Sequence, residues 1–230
     1  QITLEETKAN AKTYIDQATI ILNKDNLEVV YNSDWLDKLN FGDVIKIASK
    51  YTVAQMLERD DFTKRYSSGK PISLHEFLYP LAQGYDSVVI KSDLELGGTD
   101  QKFNLLVGRA LQKEYGQSPQ SIITAPLLEG TDGFEKMSKS NDNFIALTDS
   151  ADQMYGKVLS IPDTMIGKYF EFCTNISKED LKQVNSDLKS GGVNPRDTKR
   201  TLARDIVSIY HDDSSALKAE QNFDKLFIRK

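Results

Sequence analysis

Two lysines, Lys136 and Lys139, stand three residues apart with Ser138 between them, directly after the turn-forming residues 130–133. Two ammonium groups at this spacing can hold a polyphosphate and offset the negative charge that builds on a leaving pyrophosphate. A mobile loop that carries them can close over its ligand. The alternative is a solvated basic turn, which is what most short stretches of lysine and serine are. Taken alone, the spacing leaves both interpretations open.

A pair of glycines, Gly97 and Gly98, precedes Asp100 and Gln101 at the end of a short β-forming run. Glycine lets a ligand approach the backbone because no Cβ stands in the way. An aspartate at the carboxyl end of a parallel strand can bind both hydroxyl groups of a ribose, and open α/β sheets bind ligands at such ends. The alternative is a tight strand-to-helix turn capped by Asp100. For the glycine motif taken alone, the tight turn would be the favoured interpretation. Because the same sequence also contains the lysine loop, we favour the ligand-binding interpretation.

Three polar residues, Tyr79, Gln83 and Asp86, recur at helical spacing in the segment YPLAQGYD. At about 100° per residue, steps of four and seven bring Gln83 and Asp86 to within roughly 40° and 20° of Tyr79. A phenol, an amide and a carboxylate on one helix face could line a pocket for a small zwitterion, although a solvated face is the alternative. Pro80 is unusual in this helix because it removes a backbone donor.

The elements that position these motifs alternate between helix and strand through the first 150 residues. Serine or threonine followed three residues later by glutamate or glutamine predicts the start of a helix, and short runs rich in β-forming residues predict strands. Alternation of this kind implies a doubly wound parallel sheet, and hence an α/β fold. The predicted elements are a helix from Thr3, a strand at 27–32, helices from Thr52 to near Gly69 and from Ser73, a strand at 94–96, a helix at 101–113 and a strand at 121–125, with 88–90 ambiguous between strand and helix end.

After residue 150 the strand signals vanish and helical signals dominate. Asn194 followed by Pro195 predicts a helix start, since asparagine is a good N-cap and proline suits the first helical position. Leu202, Ile206 and Ile209 give that helix an apolar stripe. We therefore predict a domain boundary near residue 150, with an α/β domain at 1–150 and an all-helical domain at 151–230.

Composition narrows the functional classes. A single cysteine, Cys173, excludes an internal disulfide and fits a reducing cytosol, and with only two histidines it cannot build a His/Cys metal cage. No apolar run approaches membrane-spanning length, and the first residues lack a signal-peptide pattern. The net charge of −5 means that an RNA partner would need a local basic patch. A basic stretch that could touch RNA, or could equally be a solvated helix face, comprises Lys189, Arg196, Lys199, Arg200 and Arg204.

The three motifs, in this order, resemble those of the bacterial tyrosyl-tRNA synthetases, and KMSKS at 136–140 is the signature of class I aminoacyl-tRNA synthetases. The resemblance covers essentially the whole chain. It includes YNSDWL at 31–36, YPLAQGYD at 79–86, ELGGTDQKFNLLVGR at 95–109 and NPRDTK at 194–199. It implies the C-terminal part of a Rossmann-like parallel-sheet catalytic domain, followed by a helical domain near the tRNA.

The resemblance also implies roles for single residues on the amino-acid side of the site. Tyr79 and Gln83 would bind the α-ammonium of tyrosine, and Asp86 would accept the hydrogen bond of the phenolic hydroxyl. Gln101 would lie near the reacting carboxyl group, and Asn32 would stand behind the ammonium site.

On the nucleotide side, the resemblance implies that the glycine pair and its aspartate contact the ribose and that two leucines flank the adenine. The lysines would be catalytic, because they would stabilise the pyrophosphate in the transition state. The implied ATP-binding residues are Gly97, Gly98, Asp100, Leu127, Leu128, Lys136, Ser138 and Lys139.

The implied reaction forms tyrosyl-adenylate from tyrosine and ATP, which brings Mg²⁺ on its phosphates, and then transfers the tyrosyl group to tRNA(Tyr). We expect no metal bound by the protein itself. The resemblance further implies a cytoplasmic homodimer, with Leu74 near the subunit contact. The His-Ile-Gly-His-type element and the C-terminal RNA-binding domain of the family do not occur in residues 1–230, so we expect a fragment that is inactive alone.

Two other functions stay open. A tryptophanyl-tRNA synthetase would share the fold, the KMSKS loop and a similar glycine-aspartate-glutamine element, but the aligned Tyr79, Gln83 and Asp86 favour tyrosine. A non-catalytic synthetase paralogue would bind only RNA or a nucleotide, and it would have no need of both loop lysines.

Overall fold

Helices make up most of residues 3–228, the part of the chain that the computed structural model describes. Helices before the sheet are α1 (Leu4–Ala18), α2 (Ser33–Leu36), α3 (Phe41–Ala48), α4 (Val53–Met56), α5 (Asp60–Ser67) and α6 (Leu74–Ile90). Strands β1 (Leu94–Gly98) and β2 (Ser121–Ala125) lie on either side of α7 (Lys102–Glu114) in the sequence. The chain continues through α8 (Ala151–Ser160), α9 (Ile166–Cys173), α10 (Lys178–Ser190), α11 (Pro195–Tyr210) and α12 (Asp213–Phe227). Short 3₁₀ turns lie at Lys24–Asn26, Thr99–Gln101, Lys139–Asn141 and Asp163–Met165.

The described residues fall into two compact units. The first, which we call the sheet unit, is Glu28–Leu127. The second, which we call the helical unit, consists of the residues from Leu128 onward together with those up to Leu27. The domain boundary expected near residue 150 lies inside the helical unit and stays a prediction.

In the sheet unit, β1 and β2 pair in parallel, with Leu94 opposite Ser121 and Gly98 opposite Ala125. Parallel neighbours need a crossover, and α7 supplies it. Both strands and the helix between them are therefore confirmed. The long helices α6 and α7 pack against each other beside the strands. The carboxyl ends of β1 and of α6 therefore belong to the same unit. Its apolar core comprises Ile47, Met56, Leu81, Val88, Val107 and Leu111.

Helix α6 starts as predicted, with a reciprocal capping box between Ser73 and Glu76. Pro80 lies inside the helix and is buried there, and α6 nevertheless runs without a break from Leu74 to Ile90 although proline supplies no backbone N–H. The ambiguous segment 88–90 is its last turn, which ends where Lys91 adopts a left-handed conformation with φ of 52°. The predicted capping box between Thr3 and Glu6 at the start of α1 is also confirmed.

The predicted strand at 27–32 is wrong. Its backbone hydrogen bonds are local, with the Leu27 N–H donating to Lys24 O and the Asp34 N–H donating to Tyr31 O. A strand is stabilised only by neighbouring strands, and in the described residues none pairs with this run. Val29 and Val30 accordingly remain exposed.

The helix expected from Thr52 to near Gly69 is two helices. Thr52 and Gln55 form the predicted capping box, but α4 ends at Met56. A new helix, α5, starts at Asp60, because acidic residues at 60 and 61 stabilise a helix N-terminus. The sequence interpretation also missed α2 and α3, although Asn40 and Asp43 form a capping box at the start of α3.

In the helical unit, helices α8, α9, α11 and α12 enclose a second apolar core, and residues 151–228 contain helices and no strand. Helix α11 starts as predicted, since the Asn194 side chain accepts a hydrogen bond from the Arg196 N–H at 3.0 Å. Its predicted stripe is buried at Leu202 and Ile206 and partly buried at Ile209. None of the helices described here combines the length and apolar character needed to cross a membrane. The core comprises Met154, Tyr155, Val158, Ile161, Met165, Ile166, Tyr169, Phe170, Leu202, Ala203, Ile206, Val207, Ala216 and Ala219.

Candidate functional site

The carboxylate of Asp86 is half-buried on α6 and is held by two donors from one short segment. The indole Nε1 of Trp35 donates to its Oδ1 at 2.8 Å, and the amide Nδ2 of Asn32 approaches its Oδ2 at 3.4 Å. Burial raises the pKa of Asp86, and the two donors act against that shift because they favour the charged form. The nearby Glu95 carboxylate adds to the increase in the Asp86 pKa. The result is a carboxylate with fixed orientation and incomplete solvation.

Helix α2 places both donors. Asn32 occupies the N-cap position, but its side chain makes no capping bond and is therefore able to reach Asp86. Trp35 lies three residues later, on the same side of this single turn. Its backbone N–H donates to the Asn32 carbonyl oxygen at 3.2 Å. Asn32 contacts the carboxylate assigned to the phenol, and its expected place behind the ammonium site stays a prediction. Asn32 immediately precedes α2, whose Trp35 donates to the same carboxylate.

Sequence analysis did not single out Trp35. It is the chain's one tryptophan and lies inside the segment YNSDWL. Its spacing of three from Asn32 was a usable signal, since residues three apart on a helix share a face. Its partner at position 86 could not be inferred from local pattern.

A second missed residue, Asn104 on α7, joins the two glutamines of the predicted site. Its Nδ2 donates to Gln83 Oε1 at 2.9 Å and to Gln101 Oε1 at 3.2 Å. Asn104 is only 5% exposed. Its own Oδ1 is buried without a hydrogen-bond partner in the described chain. One buried amide thus brings together two residues that the sequence assigned to the amino-acid side.

Tyr79 lies on α6, four residues before Gln83, and is 65% exposed. Because α6 is continuous from Leu74 to Ile90, the angular relation predicted for positions 79, 83 and 86 holds along one helix. The exposed phenol and the amide of Gln83 can therefore face the same space. The Gln83 Oε1 has a second lone pair available besides the one that accepts from Asn104.

The end of β1 forms a close-packed corner. The strand ends at Gly98, and the chain turns through the 3₁₀ segment Thr99–Gln101. A Cβ at Gly98 would overlap Oδ1 of Asp100 and would lie 3.4 Å from Cδ2 of Leu127. Glycine at this position therefore lets the carboxylate fold back over the strand end. The predicted residues Gly98, Asp100 and Leu127 are thereby brought together at the carboxyl end of a parallel strand.

The lysine loop belongs to the helical unit and is a small hairpin. Glu129 and Lys136 form an antiparallel bridge, while the Met137 N–H donates to Leu128 O at 3.0 Å. Lys136 and Lys139 are exposed, and Ser138 is partly buried. The Ser138 hydroxyl accepts from the Asn141 N–H at 3.3 Å. Both ammonium groups are thus carried on an ordered turn rather than on an extended segment.

The base of this hairpin is fixed to α9. The Tyr169 hydroxyl donates to Glu129 O at 2.7 Å, and Lys168 forms an ion pair with the Glu129 carboxylate. That ion pair lowers the pKa of Glu129. Met137 points the other way from the lysines and packs, with Leu128, against the apolar core of the helical unit.

The basic stretch considered for RNA is largely paired within the protein. Arg200 makes two bonds to Asp224, the shorter of 2.6 Å, and also contacts Glu220. Arg204 pairs with Glu220 at 3.0 Å, and Lys199 pairs with Asp163 at 2.6 Å. These acidic partners offset much of its positive field, and RNA contact there stays a prediction. Lys189 and Arg196, the other two members, are exposed.

The predicted site residues divide between the two units. The sheet unit carries Asn32, Tyr79, Gln83, Asp86, Gly97, Gly98, Asp100, Gln101 and Leu127, and the helical unit carries Leu128, Lys136, Ser138 and Lys139. Across residues 3–228, no group of three or more His, Cys, Asp or Glu side chains is arranged to hold a metal ion.

The amino-acid sequence is similar to those of a known protein family. Residues 1–228 match the family described as "tRNA synthetases class I (W and Y)". The chain is 54% identical over 230 residues to a tyrosine–tRNA ligase of Carboxydothermus hydrogenoformans, covering 100% of this chain and 56% of that protein. It is 54% identical over 229 residues to one of Thermotoga maritima, covering 57% of that protein. The chain thus spans little more than half of these relatives.

Solved structures of the same kind share the fold. A tyrosyl-tRNA synthetase complexed with L-tyrosine from Archaeoglobus fulgidus superposes with a TM-score of 0.67 at 22% identity, over 93% of this chain and 74% of that one. A C-terminally truncated mitochondrial tyrosyl-tRNA synthetase from Aspergillus nidulans gives 0.69 at 19% identity, over 99% and 70%. At such identities the likeness concerns the fold, and it confirms the predicted Rossmann-like class I fold.

Proposed function

Because this chain belongs to the class I tRNA synthetases (W and Y), we propose that the complete gene product that contains it activates tyrosine with ATP and attaches the amino acid to tRNA(Tyr). Relatives that match the full chain at 54% identity are tyrosine–tRNA ligases. The chain spans 56% of the first of them, so the activity of the whole protein forms part of the proposal.

The observation that carries the proposal is the environment of Asp86. Its carboxylate is half-buried and is oriented by Trp35 and Asn32 from one side, and it retains lone pairs for a further donor. The phenolic hydroxyl of tyrosine is such a donor. Phenylalanine would cover this carboxylate without supplying a further donor for its remaining lone pairs, and an unsatisfied buried polar group costs about 1–3 kcal/mol, more when it is charged.

The remaining residues of the sheet unit suit the other groups of a tyrosine. Tyr79 and the second lone pair of Gln83 accept hydrogen bonds from the α-ammonium. Gln101, fixed by Asn104, lies near the reacting carboxyl group. The corner at Gly98 and Asp100 binds the ribose of ATP, because the glycine lets the Asp100 carboxylate fold back at the carboxyl end of the strand, where its oxygens can accept from the ribose hydroxyl groups.

In the first step, a carboxylate oxygen of tyrosine attacks the α-phosphorus of ATP, which enters with Mg²⁺ on its phosphates, and the bond to the β-phosphate oxygen breaks. Lys136 and Lys139 stabilise the pyrophosphate that leaves, with Ser138 beside them. Leu127 and Leu128 flank the adenine. The work of the protein is orientation and charge stabilisation, with no covalent enzyme intermediate.

In the second step, a ribose hydroxyl at the 3′ end of tRNA attacks the carbonyl carbon of the adenylate and releases AMP. The protein acts in the cytoplasm as a homodimer. Leu74, which is 83% exposed at the start of α6, is available for a subunit contact. Phe41 on α3 is similarly exposed.

The test is tyrosine-dependent exchange of labelled pyrophosphate into ATP by the complete gene product that contains this chain. We expect exchange with tyrosine and far less with phenylalanine or tryptophan. Exchange that tryptophan supports better would assign a tryptophanyl-tRNA synthetase, because an indole N–H could also donate to Asp86. Nucleotide binding without exchange for any amino acid would assign a non-catalytic paralogue.

A further inference from the structure

Asn143 is a polar residue that is only 4% exposed, three positions after the lysine loop. Burying an amide is unfavourable unless its donors and acceptor are paired. Here the Ser138 N–H donates to its Oδ1 at 2.9 Å. Its Nδ2 donates to Asp132 Oδ2 at 2.6 Å and lies 3.3 Å from the carbonyl oxygens of Glu135 and Lys136. Both ends of the side chain are therefore used.

The partners of Asn143 lie on both sides of the first lysine. The carbonyl of Lys136 and the N–H of Ser138 are fixed by the same amide, so the backbone between them is held at two points. The main chain adds a third point, since the Thr131 N–H donates to Asn143 O at 2.8 Å. Asn143 thus ties the turn that enters the hairpin to the turn that carries the lysines.

Asp132 extends the same network. Its Oδ1 accepts the N–H groups of Phe134 and Glu135 at 3.0 Å each, while its Oδ2 accepts from Asn143. The Phe134 N–H is the main cause that lowers the pKa of Asp132, so the carboxylate stays charged. A Cβ at Gly130 would overlap both the side chain and the carbonyl of Asn143. The turn therefore has a glycine where the buried amide needs room.

We propose that Asn143 is a positioning residue that sets the placement of Lys136 and Lys139 for the pyrophosphate. This inference rests on the proposed function. The site needs one acceptor and more than one donor in a single short side chain, which only an amide of this length supplies. A loop ordered in advance loses less conformational freedom when it engages the transition state, and small misplacements of catalytic groups cost about a hundredfold in rate.

The first variant is Asn143→Asp in the full-length protein. It keeps the shape and the acceptor for Ser138, but it removes the donors and places a carboxylate against Asp132. We expect kcat for tyrosine-dependent pyrophosphate exchange to fall about tenfold to a hundredfold, with the KM for tyrosine unchanged. Trypsin should cut faster after Lys136 and Lys139, because the hairpin is loosened. The matched control is Asn175→Asp, which adds the same charge at an exposed position of the helical unit outside the lysine loop and should change neither property.

The second variant is the exchange Asp132→Asn with Asn143→Asp. It removes the repulsion and restores a donor–acceptor pair between the two positions, so we expect it to recover at least part of the lost kcat and of the trypsin resistance. This recovery is not expected of a residue that merely fills space. If Asn143→Asp fails to fold, Asn143→Ala and the exchange variant still give the kcat and the cleavage rate.

Two outcomes separate the proposals. If the wild-type protein exchanges pyrophosphate with tyrosine and the Asn143 variants match it in kcat and trypsin resistance, the positioning role is overturned and the function stands. If the wild-type protein shows no exchange with tyrosine, both are overturned. A tyrosine KM that changes as much as kcat, with no recovery in the exchange variant, would also overturn the positioning role.

Discussion

The indole nitrogen of Trp35 lies 2.8 Å from Oδ1 of Asp86, although 51 positions separate the two residues. The bond links the single turn of α2 to the C-terminal part of α6. It fixes one oxygen of the carboxylate and leaves the group oriented for a ligand. A half-buried carboxylate held in this way is suited to selecting a substrate by a hydroxyl group.

Trp35→Phe keeps an aromatic ring but removes the indole donor. We expect the dissociation constant for tyrosine to rise about tenfold, since one charge-assisted hydrogen bond to Asp86 is lost and the carboxylate is less well oriented. Equilibrium dialysis with labelled tyrosine measures it. Tyr31→Phe, which removes a hydroxyl from an exposed neighbouring residue, is the control and should bind tyrosine normally.

The raised pKa of Asp86 predicts how tyrosine binding depends on pH. Burial is the main cause of that increase, so protonation begins at a higher pH than for an ordinary aspartate. Tyrosine affinity should therefore decline on acidification earlier than a normal aspartate would cause. In Asp86→Asn this decline should be absent. An identical acid profile in wild type and Asp86→Asn would show that another group controls binding.

The same shift predicts a stability effect. A carboxyl group whose pKa is higher in the folded state than in the unfolded state destabilises the fold once the pH rises above the unfolded pKa. Asp86→Asn should therefore unfold at a higher denaturant concentration than wild type at neutral pH, and this difference should shrink as the pH falls. Asp93→Asn, at an exposed position of the sheet unit, should show neither effect.

Asn104→Ala removes the donor shared by Gln83 and Gln101. We expect the KM for tyrosine to rise about fivefold, the equivalent of one lost hydrogen bond, because both amides become free to rotate. The KM for ATP should change less. Asn175→Ala, at an exposed amide of the helical unit, is the control. Equal changes in both KM values would contradict a role confined to the amino-acid side.

Local signals in the sequence predicted the helix starts well. Thr3 with Glu6, and Ser73 with Glu76, encode their caps within four residues, so no distant contact is needed. The strand at 27–32 failed for the opposite reason. A strand depends on a neighbour that local sequence does not specify, and β-forming residues such as Val29 do not create one.

In the candidate site, too, local relations were predicted from the sequence and long-range contacts were not. Tyr79, Gln83 and Asp86 were grouped by helical periodicity, which is a local property of α6. Trp35 was missed because its bond to Asp86 spans 51 positions. Asn104 was missed because its bond to Gln83 spans 21 positions, although its other bond, to Gln101, spans only three. The assignment of particular substrate groups came from the family resemblance, since an amide or a carboxylate does not by itself specify its ligand.

Arg200→Ala tests the interpretation that the basic stretch serves stability more than RNA binding. The variant removes both Arg200 bonds to the partly buried Asp224 and leaves Glu220 with Arg204 as its arginine partner, so we expect a loss of about 1–3 kcal/mol in the free energy of unfolding. Arg196→Ala, at an exposed position on the same helix, should leave the free energy of unfolding unchanged. Denaturant unfolding of both variants measures the difference. Equal stability for both would contradict the interpretation.

The measurement that bears most directly on the proposed selection of tyrosine is the ratio of kcat/KM for tyrosine to that for phenylalanine, determined by pyrophosphate exchange in the wild-type protein and in Asp86→Asn. We predict a large ratio in wild type and a fall of at least about tenfold in the variant, with phenylalanine activation changed much less. A ratio that is unchanged by Asp86→Asn, or that falls equally in Asp93→Asn, would contradict the account.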